Sequence, residues 1–196
     1  MSELRIIAGR WRGRRIQVPP SGVRPTADRV REAWMSIVQP HIPDAYVLDL
    51  CAGSGALGLE TLSRGAAHCD FVEQSPAVLK VLTANIAALG AGEHSQVHKA
   101  NAVGFVEALL NGERGTDQQT PVPPAAVRPY QLALADPPYA TDVAERLATI
   151  WLQRPFADIF CIEHNAAVAL PDAPDGTSPD RRRYGDTAIT IYRAPA

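Results

Sequence analysis

The segment Asp136-Pro137-Pro138-Tyr139 places hydrogen-bond acceptors next to a flat aromatic ring at the end of an apolar run. Its two prolines stiffen the backbone and remove two N–H donors, so the Asp136 carboxylate and the Pro137 carbonyl have no donor within the motif. Acceptors without a nucleophile suit a planar NH₂ group of a substrate, and Tyr139 could stack on the ring that carries this group. The structural alternative is a rigid turn that starts a helix, where proline is common.

A glycine-rich turn follows another apolar run, which ends in Asp49. The turn contains Gly53, Ser54 and Gly55, and a helix-forming segment comes next. Glycines permit a sharp turn close to a ligand, and the first N–H groups of a helix point to the same place. This order is typical of a site for a nucleotide-like ligand. The glycines are offset from the GxGxxG spacing and no lysine follows the turn, which excludes a P-loop.

Glu73 ends the next apolar run, 24 residues after Asp49. A carboxylate at this place can accept hydrogen bonds from a ribose diol, although a surface charge is the alternative. Ligands of open α/β sheets bind beyond the carboxyl ends of the strands, where Asp49, Glu73, Asn101 and Asp136 are all expected. We therefore predict that these residues converge on one crevice. Carboxylates near the amino group and cationic centre of a ligand would favour a positively charged cofactor over a pyrophosphate.

The other residues of reactive type form no catalytic or metal-binding pattern. None of the five histidines stands at metal or triad spacing, and Ser54 is not in the GxSxG context of a nucleophile elbow. We assign no metal ligand. Cys51, Cys69 and Cys161 lie far apart in apolar runs that resemble strands. We expect buried, reduced thiols, the alternatives being metal ligands or a disulfide.

Alternating strands and helices must position these residues from residue 46 onward. Short apolar runs predict strands at 46–50, 69–73, 96–99, 130–135 and 156–162, and helical spacing predicts helices at 56–64, 76–89, 102–110 and 141–152. Such β-α steps with short loops predict an α/β fold with a parallel sheet and helices on both faces. Residues 181–193 predict two strands around Gly185 with no helix between them, and therefore an antiparallel edge hairpin.

The first 34 residues carry eight arginines and no lysine against three acidic residues, although the whole chain has a net charge of −2. Strands predicted at 4–8 and 15–18, with Gly9 and Gly13 at the turn, would form a basic hairpin. A helix capped by Thr26 or Asp28 would follow and run to about Val38. Because arginine binds two phosphate oxygens at once, the segment predicts a polyanion such as nucleic acid as partner. A solvated surface or a source of ion pairs is the alternative.

The bulk properties are those of one ordinary globular domain. The chain has 196 residues, of which 46% are hydrophobic and 20% charged, and no apolar run approaches the length of a membrane span. We divide the chain into a basic extension, 1–43, and a body, 44–196. Within the body, residues 111–128 predict a flexible surface insertion, and a functional lid is the alternative. The charged N-terminus and the reduced cysteines indicate the cytoplasm. The lack of an apolar surface stripe indicates a monomer.

With these motifs, the chain resembles the class I S-adenosylmethionine-dependent methyltransferases. More closely, it resembles the bacterial 16S rRNA (guanine-N2)-methyltransferases of the small-subunit methyltransferase D family. The segments that carry the resemblance are RIIAGRWRGRRI at 5–16, RPTADRVRE at 24–32, LDLCAGSGALGLETLSRGA at 48–66, FVE at 71–73, ADPPY at 135–139 and RYGDTAITIY at 183–192. The arginine-rich start and the RPT segment, joined to DPPY, are more specific than the motifs shared across the class.

The resemblance implies a Rossmann-like sheet and methyl transfer from S-adenosylmethionine to the exocyclic N2 amine of a guanine in 16S rRNA. It implies that Asp136 and the Pro137 carbonyl hold the amine, within a catalytic motif completed by Pro138 and Tyr139. The implied cofactor residues are Asp49, Ala52, Gly53, Ser54, Gly55, Gly58, Glu73, Gln74, Asn101 and Ala102. The implied RNA-binding residues are Arg5, Arg10, Trp11, Arg12, Arg14, Arg15, Arg24, Thr26 and Arg29.

Three alternatives to this function stay open at the level of the sequence. The acceptor pair would fit any planar amine, so an adenine-N6 or other amine methyltransferase acting on nucleic acid is possible. A nucleotide-dependent oxidoreductase would use the same kind of sheet, but the offset glycines and the DPPY motif speak against it. A catalytically silent RNA-binding protein would bind RNA without methyl transfer. The substrate could be free 16S rRNA or a partly assembled 30S particle.

Overall fold

The structure is a computed structural model, and it describes residues 2–19, 28–112, 130–173, 176 and 178–195. The strands within these ranges are β1 (Ser2–Arg5), β2 (Arg15–Val18), β3 (Tyr46–Leu50), β4 (His68–Glu73), β5 (Ser95–Lys99), β6 (Tyr130–Ala135), β7 (Ala157–Asn165), β8 (Asp180–Tyr184) and β9 (Thr187–Arg193). The α-helices are α1 (Asp28–Val38), α2 (Ala56–Ser63), α3 (Pro76–Leu89), α4 (Ala102–Leu110) and α5 (Val143–Gln153). Short 3₁₀ turns occupy Gln39–His41 and Gly92–His94.

The described strands of the body form one seven-stranded sheet in the order β5-β4-β3-β6-β7-β9-β8. Strands β3 to β7 pair with one another in parallel, whereas β9 is antiparallel to both β7 and β8. The predicted mostly parallel sheet with an antiparallel C-terminal edge hairpin is therefore confirmed. The strand order reverses between β3 and β6, and open α/β sheets bind their ligands at such a switch point.

Helices cover both faces of the sheet, as predicted. Successive apolar side chains of the buried strands point to opposite faces, so each face needs a layer of helices to cover it. On one face, Val47 of β3 packs in a cluster with residues of α1, α2 and α3, among them Trp34 and Leu82. On the other face, Leu48 and Leu50 of β3 pack with α4 and α5, for instance against Trp151. Strands buried on both sides are typical of parallel sheets.

Local signals explain the bounds of α3, which the sequence analysis placed correctly. The Ser75 hydroxyl accepts a hydrogen bond from the Val78 N–H at 3.4 Å, and Pro76 occupies the first turn. The helix ends at Gly90, which has a φ of +67°. Helix α5 begins at Val143, two residues later than predicted, because the Pro138 carbonyl accepts hydrogen bonds from Thr141 and forms a turn first.

The N-terminal hairpin is present, but its first strand is displaced from the predicted span of 4–8. Strand β1 ends at Arg5, and the N–H groups of Ile7 and Ala8 donate to the two carboxylate oxygens of Glu60 on α2, at 2.8 and 3.0 Å. A buried carboxylate therefore replaces the partner strand. Gly9 is required next to it, because a Cβ there would lie 1.8 Å from the Ser63 carbonyl oxygen.

The described part of the basic extension shares a core with the body. Ile6, Trp11 and Ile16 belong to the same buried cluster as Leu59 and Ile86 of α2 and α3. On α1, the buried Arg31 guanidinium donates to the Arg5 carbonyl oxygen at 2.7 Å. We propose that residues 1–43 and 44–196 differ in function. The hairpin is nevertheless packed as part of the folded body.

Most of the predicted insertion, namely residues 113–128, lies outside the described residues, as do Arg24 and Thr26. All three cysteines are free, and Cys69 and Cys161 are buried in strands as predicted. Cys51 is free as well, but the prediction that it is buried in a strand is wrong, because it is partly exposed and follows β3 with a φ of +61° where the chain turns. No helix in the described ranges is long and apolar enough to cross a membrane.

Candidate active site

The predicted residues at the carboxyl ends of the strands lie together at the switch point. Leu50 of β3 pairs with Ala135 of β6 on one side and with Val72 of β4 on the other. The next residues along those neighbours are Asp136 and Glu73, and both charges raise the pKa of Asp49. The convergence expected from the sequence is therefore present for Asp49, Glu73 and Asp136, which make this edge of the sheet acidic. Asn101 follows β5, two strands away from β3 in the sheet.

Asp49 lies beneath the start of α2 and is only 1% exposed. Its Oδ2 atom accepts a hydrogen bond from the Gly58 N–H at 2.9 Å. Burial raises the pKa of Asp49 to about 7; the Gly58 bond opposes this shift, and the charges of Asp136 and Glu73 add to it. A cation bound nearby would favour the charged carboxylate, so the site is suited to a positively charged ligand.

The glycine turn has the backbone conformation that its residues predict. Gly55 has a φ of +82° at the start of α2, and a Cβ there would lie 2.6 Å from the Leu82 side chain. The Gly53 N–H donates to Glu73 Oε2 at 3.1 Å, which joins the turn to the end of β4. The space at Gly58 is smaller still, since a Cβ there would lie 2.3 Å from the Phe71 ring. This glycine permits the close packing of α2 on the sheet.

Two predicted ligand residues also have structural roles that no sequence motif indicated. Glu73 accepts a second hydrogen bond, from the Ser75 N–H to its Oε1 atom at 2.8 Å, so both carboxylate oxygens are fixed in place. The Asn101 Oδ1 atom accepts from the Gly104 N–H at 2.7 Å and caps α4, which leaves its Nδ2 group to donate to a ligand. Gln74 is exposed beside Glu73, and Ala102 is buried at the first turn of α4.

The DPPY loop is held by residues that are distant in the chain. The Tyr139 hydroxyl donates to Glu163 Oε1 at 2.7 Å and lies 2.7 Å from the Thr187 hydroxyl. Burial raises the pKa of Tyr139, so the phenol is neutral at ordinary pH. Asp136 is partly exposed and Pro137 is buried. The ring of Tyr139 therefore has one fixed position next to Asp136, and no pattern in the sequence indicated Glu163 or Thr187 as its partners.

Cys51 lies in the same crevice but is unsuited to nucleophilic chemistry. Burial raises the pKa of its thiol to about 12, and the charges of Glu73, Asp49 and Asp136 add to the shift. The thiolate, which is the reactive form, is therefore absent at neutral pH.

The basic hairpin presents its five described arginines to the outside. These exposed residues are Arg5, Arg10, Arg12, Arg14 and Arg15. Glu3 forms an ion pair with Arg15 at 2.8 Å, and the Arg14 guanidinium donates to the Ala88 carbonyl oxygen at the end of α3. Within the described part of the extension Glu3 is also the sole acidic residue before α1, so the hairpin is a positive surface.

Trp11 differs from the other predicted RNA-binding residues because it is buried, with 8% of its surface exposed. Its backbone N–H donates to the Ser63 hydroxyl at 3.0 Å, and the Arg10 guanidinium lies 4.0 Å from the centre of its ring. Trp11 therefore supports the hairpin turn and positions Arg10, and its ring faces are not open to a base. Arg24 and Thr26 lie outside the described residues, as does the side chain of Arg29.

The chain is similar to known proteins over almost its whole length. The family model described as Conserved hypothetical protein 95 matches residues 4–193. The chain is 36% identical to Ribosomal RNA small subunit methyltransferase D of Escherichia coli K12, over 99% of this chain and 91% of that protein. It is similar to the solved structure of a hypothetical protein from Thermus thermophilus, with a TM-score of 0.77 and 29% identity, covering 97% and 99% of the two chains.

A more distant structure shares the fold alone. It is described as the Thermus thermophilus 16S rRNA N2 G1207 methyltransferase in complex with AdoMet and guanosine. Its TM-score is 0.66 and its identity 18%, over 99% of this chain and 50% of that one. The family model covers nearly all of the present chain, and the Escherichia coli relative is similar over almost its full length. The chain therefore belongs to the Conserved hypothetical protein 95 family and is a relative of the small-subunit methyltransferase D proteins.

Proposed function

We propose that the protein transfers a methyl group from S-adenosylmethionine to the exocyclic N2 amine of a guanine in 16S rRNA. The observation that carries the proposal is the DPPY loop, whose Tyr139 is fixed by Glu163 at the edge where Asp49 and Glu73 converge. The name of the Escherichia coli relative specifies ribosomal RNA of the small subunit. The structure that shares the fold is that of a 16S rRNA N2 methyltransferase in complex with AdoMet and guanosine.

The crevice suits the charge and shape of this cofactor. The carboxylates of Asp49, Glu73 and Asp136 would favour the cationic amino and sulfonium groups, and a dinucleotide pyrophosphate would be repelled. The turn from Ala52 to Gly55 would surround the methionine part, and Glu73 would accept hydrogen bonds from the ribose. Gln74, Asn101 and Ala102 would border the adenine. When bound, S-adenosylmethionine supplies an electrophilic methyl group.

Asp136 and the Pro137 carbonyl would make the guanine amine a better nucleophile. The lone pair of this amine is delocalised into the ring, which makes it weakly nucleophilic. If the two acceptors receive hydrogen bonds from both N–H groups of the amine, its nitrogen is favoured in a pyramidal form. The lone pair of that nitrogen then points away from the two acceptors. Stacking on the immobilised Tyr139 ring would align the nitrogen with the methyl group, and such alignment can supply roughly 7–11 kcal/mol. As the new N–C bond forms, the bond between the sulfonium sulfur and the methyl group would break, and S-adenosylhomocysteine would leave as the product. The cationic nitrogen would then give up a proton, which the Asp136 carboxylate can accept without being a strong base.

The basic hairpin would bind the phosphates of the rRNA around the target nucleotide. The guanine has to leave its stack to reach the crevice, at a cost of a few kcal/mol that is smallest for an unpaired base. Phosphate contacts from the exposed arginines, such as Arg5 and Arg12, would offset this cost. We propose that the protein acts as a monomer in the cytoplasm, on free 16S rRNA or on a partly assembled 30S particle.

A transfer assay tests the proposal directly. Labelled S-adenosylmethionine would be incubated with 16S rRNA and with 30S particles from cells that lack the enzyme, and the labelled nucleoside would be identified. Formation of N2-methylguanosine supports the proposal, and N6-methyladenosine would redirect it to the adenine amine. Absence of any label, although the cofactor binds, would overturn methyl transfer to this rRNA.

Replacement of Asp136 tests the proposed chemistry within the same assay. Asp136→Ala removes one acceptor of the target amine, and we expect kcat to fall by roughly 10²-fold or more. Cofactor binding, followed by calorimetry with S-adenosylhomocysteine, should persist. Full activity of this variant would contradict the assigned role. Asp158→Ala, which alters a carboxylate at the amino-terminal end of β7, is a matched control and should retain activity.

A further inference from the structure

Asn85 of α3 makes hydrogen bonds to both segments that the proposed function assigns to ligands. It is 2% exposed, and its Oδ1 atom accepts from the Gln17 N–H at 2.8 Å. Its Nδ2 group donates to the Gln17 carbonyl oxygen at 2.9 Å and to the Ser54 carbonyl oxygen at 2.8 Å. Gln17 belongs to β2 of the basic hairpin, and Ser54 belongs to the glycine turn. One side chain therefore links the two.

The orientation of the Asn85 amide follows from its partners. The Gln17 N–H needs an acceptor, whereas the carbonyl groups of Gln17 and Ser54 need donors. An amide side chain satisfies all three at once. Because the site is buried, losing one of these bonds would leave a polar group unsatisfied, at a cost larger than that of a surface hydrogen bond.

The same helix contacts the glycine turn and the hairpin at two further places. Leu82, one turn before Asn85, packs against Gly55, where an added Cβ would lie 2.6 Å from its side chain. One turn after Asn85, the Ala88 carbonyl oxygen accepts from the Arg14 guanidinium. A movement of the hairpin relative to α3 would therefore act on the turn through a short path of packed and hydrogen-bonded groups.

Helix α2 gives the hairpin a second attachment. It begins at the glycine turn, and its Glu60 and Ser63 side chains bind the backbone of residues 7, 8 and 11. The Ser63 hydroxyl also donates to the Ala8 carbonyl oxygen at 2.6 Å. The hairpin is thus bound to both helices that contact the turn, and Asn85 forms hydrogen bonds to the hairpin and to the turn.

We propose that Asn85 is a positioning residue that couples RNA binding at the hairpin to cofactor binding at the glycine turn. The proposal rests on the proposed function. RNA that holds the hairpin fixes Gln17, and through Asn85 it fixes the Ser54 carbonyl in the conformation that the cofactor needs. Ligands that favour the same arrangement of the hairpin, Asn85 and the turn each stabilise it for the other, which gives positive coupling. By thermodynamic linkage, each ligand raises the affinity for the other by the same factor.

Binding measurements with and without the second ligand test the coupling. The affinity for 16S rRNA would be measured by filter binding, alone and with saturating S-adenosylhomocysteine, and the affinity for S-adenosylhomocysteine by calorimetry. For the natural chain we expect the ligand to tighten rRNA binding by about 5-fold or more. Asn85→Ala should reduce this factor to below about 2-fold, and the KM for the cofactor at saturating rRNA should rise more than kcat falls.

Two further variants separate positioning from a general loss of stability. Leu147→Ala opens a cavity in the core on the other face of the sheet, where α5 packs, and should lower the melting temperature without reducing the coupling factor. Asn85→Asp keeps the acceptor for the Gln17 N–H but loses the donors to the Gln17 and Ser54 carbonyl oxygens, and should also lose the coupling. It provides a second readout if Asn85→Ala folds poorly.

Each outcome decides one of the two proposals. Binding of both ligands by the natural chain without mutual enhancement would overturn the coupling and leave the proposed function intact. An equal coupling factor in Asn85→Ala and in the natural chain would overturn the role of Asn85. Failure of the natural chain to bind S-adenosylhomocysteine or rRNA would overturn the proposed function, and the coupling with it.

Discussion

The hydroxyl of Tyr139 donates to the buried Glu163 carboxylate at 2.7 Å, although 24 residues separate the two in the chain. This bond joins the loop after β6 to the neighbouring strand β7, and Thr187 of β9 adds a second contact at 2.7 Å. The ring of Tyr139 is therefore oriented before any substrate arrives. Preorganised groups lose little entropy on binding, so this contact should matter for the rate of reaction more than for the binding of the cofactor.

Substitutions at Tyr139 should separate orientation from stacking. Tyr139→Phe keeps the ring but loses the hydroxyl, and we expect kcat to fall by about 10-fold because the ring is less well fixed. Tyr139→Ala also loses the stacking surface and should lower kcat by roughly 10²-fold. Steady-state kinetics with 16S rRNA would measure both. If Tyr139→Phe retains full kcat, the bond to Glu163 has no catalytic importance.

Cofactor binding should depend on pH through Asp49. Burial raises the pKa of Asp49 to about 7 in the free protein, so this carboxyl is largely protonated below pH 7 and charged above it. A cationic cofactor prefers the charged form. We therefore expect its affinity to increase as the pH rises from about 6 to about 8, with a proton released on binding near pH 7. Calorimetry in buffers of different ionisation enthalpy would measure that proton.

Asp49→Asn is the matched control, because asparagine can still accept from the Gly58 N–H. Its cofactor affinity should be lower at about pH 8 and nearly independent of pH. The linkage to stability has the opposite sign. The folded state holds a proton on Asp49 that the unfolded chain releases above its ordinary pKa of 3.8, so this group lowers the free energy of unfolding as the pH rises from about 4 to 7. In Asp49→Asn this part of the pH dependence should disappear.

Gly58→Ala should destabilise the fold. A Cβ at this position would lie 2.3 Å from the Phe71 ring and 2.7 Å from the Cys69 sulfur, both buried in β4. Overpacking of this kind costs about 1–3 kcal/mol of the free energy of unfolding. Urea denaturation would measure it. Gly92→Ala is the matched control, since nothing lies within 4 Å of its added Cβ, and it should change stability little. Equal stability of the two variants would contradict the packing seen at Gly58.

Point substitutions in the hairpin should weaken RNA binding without affecting the cofactor. Arg12→Gln removes an exposed charge. If one phosphate contact is lost, the slope of the logarithm of the RNA-binding constant against the logarithm of the salt concentration should decrease in magnitude by about 0.7–0.9. Affinity for S-adenosylhomocysteine should not change. Arg146→Gln alters an exposed arginine on α5, on the opposite face of the sheet, and should leave the slope as it is. Identical slopes for both variants would exclude a phosphate contact at Arg12.

Removal of the first 18 residues would be a poorer test of RNA binding. At the level of the sequence, the arginine-rich segment suggests an appendage whose loss would spare cofactor binding. In the folded chain, Ile6, Trp11 and Ile16 are buried in the core, and Glu60 binds the backbone of Ile7 and Ala8. Truncation would expose this core and leave the Glu60 carboxylate without those donors, so we expect it to reduce both stability and cofactor affinity.

The sequence by itself determined the framework and the position of the site. Alternating apolar runs and helical segments specify a parallel sheet because each run can be buried only between layers of helices. The strand ends place Asp49, Glu73 and Asp136 at one edge, and the glycine turn is recognisable from its position between an apolar run and a helix-forming segment. All of these signals are local, since they depend on residues within one strand, one turn or one helix.

Only the tertiary structure decided which distant residues fix that site in place. Tyr139 is bound by Glu163 and Thr187, Asn85 joins Gln17 to Ser54, and Glu60 replaces a partner strand for residues 7 and 8. Partners up to 68 residues apart meet because helices α2 and α3 pack against both the sheet and the hairpin. A buried polar side chain bonds whichever backbone groups the packing brings to it, and no pattern within the chain specifies those groups in advance.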